Sequence, residues 1–338
     1  MKICHFLKST PFGKQNRLGI LVGGSLHEIL DVNLFWVNSF RRRGFFNPLE
    51  RAHHHAPPSL SAVLKLKENP LSFFQNTREQ FHKEEKEERS EDSPSLFRLE
   101  DSKLGPPLDV ITTYRDFYAH EKHVAKGFEL RKEPIPKYWY EIPAYYKGSP
   151  HGFIGHEDEI LWPSYSRILD YELELAAIVG RDGFNLSAKK ACDHLFGFTI
   201  LNDISARDMQ KKEMAVRLGP AKAKDFCSVI GPVIATIDEF KTDRPDLTMV
   251  ARINGEEWSK GQSGDAHYGF SEMMAHVSRD EWLLAGDLLG SGTVGTGCGL
   301  ELSRWIQPGD EIELEVEGIG ILRNRVGHPQ QTKPGQGD

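Results

Sequence analysis

Two stretches of the chain alternate glutamate with apolar residues: "RILDYELELAAIVG" near the middle and "PGDEIELEVEGIG" near the end. On a strand, successive side chains point to opposite faces. Glu172 and Glu174 therefore share one face, and Tyr171, Leu173 and Leu175 the other. Glu311, Glu313, Glu315 and Glu317 lie opposite Ile312, Leu314 and Val316 in the same way. Such a row of acids is either a solvated sheet face or a pair of carboxylates turned toward a cation.

The same reading predicts other elements. "LGILVGG" reads as a strand, and "SLHEILDVNLFWVNSF" as a helix capped by Ser25. In "FFNPLERAHHHAPPSL", Pro48, Pro57 and Pro58 are expected to break regular structure. His53, His54 and His55 then sit in a polar loop, because consecutive residues splay apart and do not make a metal tract. "SLSAVLKLKENP" reads as a short helix and "LSFFQNTREQFHKEEKEERSEDS" as a longer one with a solvated, charged tail. A domain boundary is expected near residues 95 to 105, before "LGPPLD". This divides the chain into a smaller N-terminal domain, 1–105, and a catalytic domain, 106–338. Beyond the boundary, strands outnumber helices. "FGFTILND", "VIGPVIAT", "MVARING" and "EIELEVEGIGILRNRV" read as strands, with an Asn-Gly hairpin at Asn254 and Gly255. "SAKKACDHL", "SARDMQKKEM" and "GFSEMMAHVSRDEWLL" read as helices. The fold class is α+β and β-rich.

Composition narrows the function. The chain has 338 residues and a formal net charge of -7. A modest acidic excess argues against nucleic acid or an anionic membrane as partner, and the short run "RRRG" does not reverse it. The four cysteines, Cys4, Cys192, Cys227 and Cys298, are widely spaced, so neither a disulfide framework nor a zinc knuckle is expected. No long apolar segment is present at the start, and a cytoplasmic protein is the expectation.

Five stretches carry candidate chemistry. "YRDFYAHEKHVAKG" holds Asp116, Tyr118 and His123, and by itself reads better as an ordinary amphipathic helix start. Glu172 and Glu174 repel each other unless they are solvated or bridged by a cation. In "LNDISARDMQ", Asp203 stands between strand and helix, where an N-cap is the plain reading. Arg207 and Gln210 share a face of that helix. "LGPAKAKDF" carries Lys224, and "LLGSGTVGTGCGLEL" is a glycine-rich loop ending at Glu301. A phosphate loop is weakly supported there, because no Gly-Lys-Ser/Thr follows.

Taken in order, "DFYAHEKHV", "LDYELELA", "NDISARDMQ", "LGPAKAKDF" and "LLGSGTVGTGCGLEL" resemble the fumarylacetoacetase family over roughly residues 110 to 328. The resemblance implies a mixed β-roll or sandwich wrapped around the site. It implies a Mg2+ or Ca2+ ion held by Asp116, Glu172, Glu174 and Asp203, an all-oxygen set suited to a hard cation. It implies that His123 activates water and Glu301 orients it, with Arg207, Gln210 and Lys224 around the reacting carbonyl. Tyr118, Tyr146 and Thr293 match substrate contacts. The implied reaction is cleavage of a carbon–carbon bond in a β-diketo acid by a hydrolase, with a small diketo or oxo acid as partner and a homodimer as assembly. A decarboxylase, hydratase or isomerase of 2-oxo acids is the alternative, and a non-catalytic interaction protein a third reading. The chain departs from the family in two places. Met214 stands near an expected tyrosine, and either Arg131 or Lys132 near an expected arginine. "EIELEVE" matches no catalytic motif and is expected to be a strand with a solvated face.

Overall fold

The computed structural model describes residues 1–10, 13–24, 27–89 and 95–329. Its largest element is a twelve-stranded sheet. At its centre, Leu173–Val179 pairs antiparallel with Leu195–Asn202 on one side and Leu288–Gly290 on the other. Leu195–Asn202 pairs with Ser228–Thr236, and Leu288–Gly290 runs parallel to Tyr114–Phe117. A second, five-stranded sheet is built on Thr248–Ile253, Glu311–Val316 and Gly320–Val326. The fold is therefore α+β and rich in strands, as the pattern implies.

The sheet does not stop at the sequence boundary near residue 105. Lys2–Thr10 pairs with Ser228–Thr236, with Ile3 opposite Ile234. The strand Gly13–Val22 then continues the sheet outward.

Strand Leu173–Val179 is buried on both faces. Leu173, Leu175, Ala177 and Val179 enter the core shared with the second sheet, together with Met249 and Leu314. Ala176 and Ile178 enter the other core, with Phe35, Trp36 and Phe74 from the N-terminal helices. Phe74 meets Phe196 of the sheet with ring centres 5.8 Å apart. The helical layer thus covers the sheet on the face that Glu172 and Glu174 share by parity. Apolar burial of this kind contributes about 25 cal/mol per Å² removed from water.

Several expectations need correction. "SLHEILDVNLFWVNSF" is not one helix. Glu28–Asp31 is a strand, and the helix is Val32–Arg42, capped by the Asp31 carboxylate accepting from the Leu34 N–H. Ser25 lies outside the described residues. Pro48 does not break structure but opens the helix Pro48–His55, where a missing N–H costs nothing. The histidine triplet is the last turn of that helix and not a loop. His55 packs edge-on against Trp36, while His53 binds the Leu49 carbonyl. Asp203 is no N-cap either: Ala206 occupies that place before helix Arg207–Ala215.

Other expectations hold. Asn254 and Gly255 both have positive φ, 52° and 80°, and join Thr248–Ile253 to Glu256–Gln262 as a tight hairpin. All four cysteines are free. In Glu311–Val316 the apolar residues are buried and the glutamates are half-exposed. Glu313 binds Arg323 and Glu315 binds Arg252 from the flanking strands.

Candidate active site

The other Glu-x-Glu has the opposite fate. Glu172 and Glu174 are buried, as are Asp116 and Asp203. Oxygen atoms of Asp116, Glu172 and Glu174 lie within 4.8 Å of one another. Three strands bring them together. Asp116 stands opposite Gly290 in the parallel pairing, and Ala176, two residues after Glu174, stands opposite the same Gly290 in the antiparallel one. Glycine at 290 is required by this approach: a Cβ there would sit 2.3 Å from Asp116 Oδ1.

Asp203 lies beside the cluster, joined to it by Lys224. The buried Nζ of Lys224 donates to Glu172 Oε2 and to Asp203 Oδ2, each at 2.5 Å. Tyr146 and Ser228 also donate to Asp203, at 2.6 and 3.0 Å. Arg207 Nη2 donates to Glu172 Oε1 at 2.8 Å, and its Nη1 donates to Gln210 Oε1 at 2.9 Å. Thr293 donates to Glu174 Oε1 at 3.2 Å.

Charge is distributed unevenly. Burial works to raise the Glu172 carboxyl, but Lys224 and Arg207 outweigh it and hold it at about 2. Asp116 and Glu174 have no such cations in contact among the described residues. Burial, then neighbouring carboxylates, push both well above the ordinary carboxylate range. Asp116 Oδ1 and Glu174 Oε2 are buried with no hydrogen-bond partner among the described residues. An orphaned buried carboxyl oxygen is costly. Two of them, converging with a third acid, suit a divalent cation with oxygen ligands.

A second group stands next to this cluster. His123 lies in helix Glu121–Arg131, and its Nδ1 is 2.5 Å from Glu301 Oε1. Glu301 Oε2 accepts the Thr296 N–H at 2.9 Å, so the glycine-rich loop fixes the acid. Tyr118 packs edge-on against the His123 ring, 5.3 Å between centres. Arg131 lies close to Tyr118, both beside Gly127, while Lys132 is the left-handed C-cap of the helix. Met214, by contrast, is half-exposed on the surface.

Residues 109–327 match the family model described as fumarylacetoacetate hydrolase, C-terminal. The chain belongs to the fumarylacetoacetate hydrolase family. It is similar to the oxaloacetate tautomerase YisK of Bacillus subtilis, 31% identical over 243 residues, which is 69% of this chain and 75% of that one. It is also similar to the human mitochondrial oxaloacetate tautomerase FAHD2A, 30% identical over 237 residues, 69% of this chain and 72% of that one. The fold matches a fumarylacetoacetate hydrolase from Exiguobacterium antarcticum with a TM-score of 0.67, covering 97% of this chain and 99% of that one at 24% identity. It matches a 5-carboxymethyl-2-hydroxymuconate delta-isomerase from Mycobacterium smegmatis with a TM-score of 0.64, covering 97% and 99% at 21% identity. Proteins with hydrolase and isomerase names thus share this fold. No helix of the described residues is long and apolar enough to cross a membrane.

Around this candidate site, three residues escaped the sequence reading. Asp170 is two residues before Glu172 and so shares its parity. It accepts from Arg207 Nε at 2.8 Å and from the Gly299 and Leu300 amides at 2.7 and 3.0 Å, tying the glycine loop to the acidic strand. Period two was the signal for it. Ser228 and Cys298 carried none: Ser228 meets Asp203, and Cys298 meets His123 as well as the nearby Glu301, across distant stretches of the chain.

Proposed function

We propose that this chain is a metal-dependent enzyme that interconverts the keto and enol forms of a small 2-oxo diacid of the oxaloacetate class. The observation that carries the reading is the His123–Glu301 pair, joined at 2.5 Å beside a converging set of buried carboxyls. Asp116, Glu172 and Glu174, with Asp203 next to them, would hold Mg2+ or Ca2+. Such a cation, when bound, polarises a 2-oxo group and lowers the cost of enolate charge by several kcal/mol.

The chain's own residues do the rest. With Nδ1 engaged by Glu301, Nε2 of His123 is the nitrogen that exchanges protons. It takes the proton from the enol hydroxyl and returns one to the neighbouring carbon. Atoms balance, and no water is consumed. Glu301 stabilises the imidazolium formed in between. Lys224 and Arg207 keep Glu172 ionised. Tyr118, Tyr146 and Thr293 are the proposed substrate contacts, and Arg131, close to Tyr118, supplies positive charge for a substrate carboxylate. Gln210 orients Arg207.

Two facts support tautomerisation over cleavage. The relatives named as oxaloacetate tautomerases match at 30–31% identity over 69% of this chain. Met214, the position nearest to where the resemblance expects a hydrolase tyrosine, is half-exposed. Hydrolysis of a β-diketo acid is the second reading, since a base held by a carboxylate serves equally to activate water. The deciding experiment gives purified protein enolic oxaloacetate and a panel of acylpyruvates, with Mg2+ and after chelation. Metal-dependent loss of enol absorbance without acid release supports the tautomerase. Release of two carboxylic acids from an acylpyruvate, with no effect on the enol, would replace it with the hydrolase. No metal-dependent change on either would sink both.

A further inference from the structure

The glycine-rich loop brings Cys298 against the same pair. Its Sγ lies 3.5 Å from Glu301 Oε1. A ring nitrogen of His123, the Cys298 sulfur and a Glu301 oxygen all lie within 4.8 Å of one another. We propose that His123, Cys298 and Glu301 form a second metal site, for a zinc-class divalent cation, and that its occupation switches the enzyme off.

The chemistry of the donors carries the inference. Nitrogen, sulfur and carboxylate oxygen together make the ligand set of zinc and not that of magnesium or calcium, which take oxygen alone. The acidic cluster and this triad therefore sort cations by hardness. Tetrahedral zinc, with Zn–S about 2.3 Å and Zn–O about 2.1 Å, sets sulfur and oxygen about 3.6 Å apart. The observed sulfur–oxygen distance of 3.5 Å already meets this. Nitrogen and oxygen should be about 3.4 Å apart in the same geometry. His123 and Glu301, at 2.5 Å, would have to separate by roughly one ångström.

Charge also balances. Binding releases the thiol proton into solvent while the His123 ring proton moves from Nδ1 to Nε2, so a thiolate and a carboxylate, beside a neutral imidazole, neutralise the dication. The His123 side chain keeps about a tenth of its surface open, which leaves a route in. A ring nitrogen that holds a cation cannot move a proton. The switch, though not the site, rests on reading His123 as the base.

The test uses the full chain with Mg2+ at saturation and Co2+ as the probe. Cobalt bound to a thiolate gives a near-ultraviolet charge-transfer band. The band should appear with one equivalent and vanish in Cys298→Ser, although Cys4, Cys192 and Cys227 remain. Zn2+ should then inhibit turnover of the native enzyme. Cys298→Ser should work without zinc and need at least tenfold more of it for inhibition. A Mg2+-dependent rise in melting temperature checks that the variant folds. If it does not, Glu301→Gln provides the second reading: the band should persist but require at least tenfold more cobalt. A native spectrum without the band, or a band unchanged in Cys298→Ser, overturns the site. A band that depends on Cys298 while zinc leaves turnover intact keeps the site and overturns the switch.

Discussion

His123 Nδ1 and Glu301 Oε1 are 2.5 Å apart, although 178 residues separate them in the chain. In the proposed function this pair has a duty separate from that of the acidic cluster. His123→Ala should lower turnover by about 10²–10⁴-fold, the usual worth of a general base. Mg2+ affinity should be nearly unchanged. Glu301→Gln should also slow turnover, because an amide cannot support the imidazolium. Steady-state kinetics beside calorimetric Mg2+ titration checks both. Near-normal turnover in His123→Ala would rule out this base.

Metal should matter to stability as well as rate. Mg2+ at a hundred times its dissociation constant adds about 2.7 kcal/mol to a protein that binds it only when folded. The melting temperature should therefore rise with Mg2+ and fall on chelation. Glu174→Gln should abolish most of that rise. Glu313→Gln with Glu315→Gln should leave it intact, since those acids pair with Arg323 and Arg252 on another sheet. Equal losses in the two variants would show that the wrong Glu-x-Glu had been assigned.

Gly290→Ala probes the same site without touching a ligand. The new methyl would meet Asp116 Oδ1 at 2.3 Å and Leu201 Cδ2 at 2.8 Å. Overpacking typically costs about 1–3 kcal/mol. Asp116 must move, so Mg2+ affinity should fall at least tenfold in a protein that still folds. Unchanged affinity would mean that Asp116 is not a ligand.

The fold should lose stability in acid through His120. Both its ring nitrogens are buried without hydrogen-bond partners among the described residues. Burial first, then the nearby His123, holds its pKa down at about 3, against 6.5 for an ordinary histidine. The unfolded chain therefore binds a proton below pH 6.5 that the folded chain refuses. Stability is full above that pH and declines as the pH falls toward 3. Each tenfold change in proton affinity is worth about 1.4 kcal/mol, so the loss amounts to a few kcal/mol. His120→Gln should flatten this slope in denaturant melts between pH 4 and 7. An unaltered slope would show that other groups carry it.

What was legible in the sequence follows the reach of each signal. Period two put Glu172 and Glu174 on one face and would have added Asp170. It could not say which of two Glu-x-Glu faces is buried, because burial depends on strands far away in sequence. Resemblance supplied that difference, and the structure places Asp116 and Glu174 with orphaned oxygens. The errors fell where local rules compete. Pro48 can break a chain or begin a helix, and the choice was made by what Ala52 and Trp36 bury. Asp203 looked like a cap, but Lys224, twenty-one residues later, claims its carboxylate. The strand Lys2–Thr10 was not foreseen, although its hairpin partner Gly13–Val22 is local; only its pairing with Ser228–Thr236 lies beyond two hundred residues.

That pairing has a consequence for synthesis on the ribosome. Ile3 finds its place beside Ile234. At about 5–20 residues per second, the partner strand emerges roughly ten to fifty seconds after the first. Through that interval the early strands present an open hydrogen-bonding edge, the kind of surface that recruits other chains. The nascent protein should therefore depend on chaperones most before residue 236 leaves the tunnel, and slow translation upstream of that point should lower soluble yield.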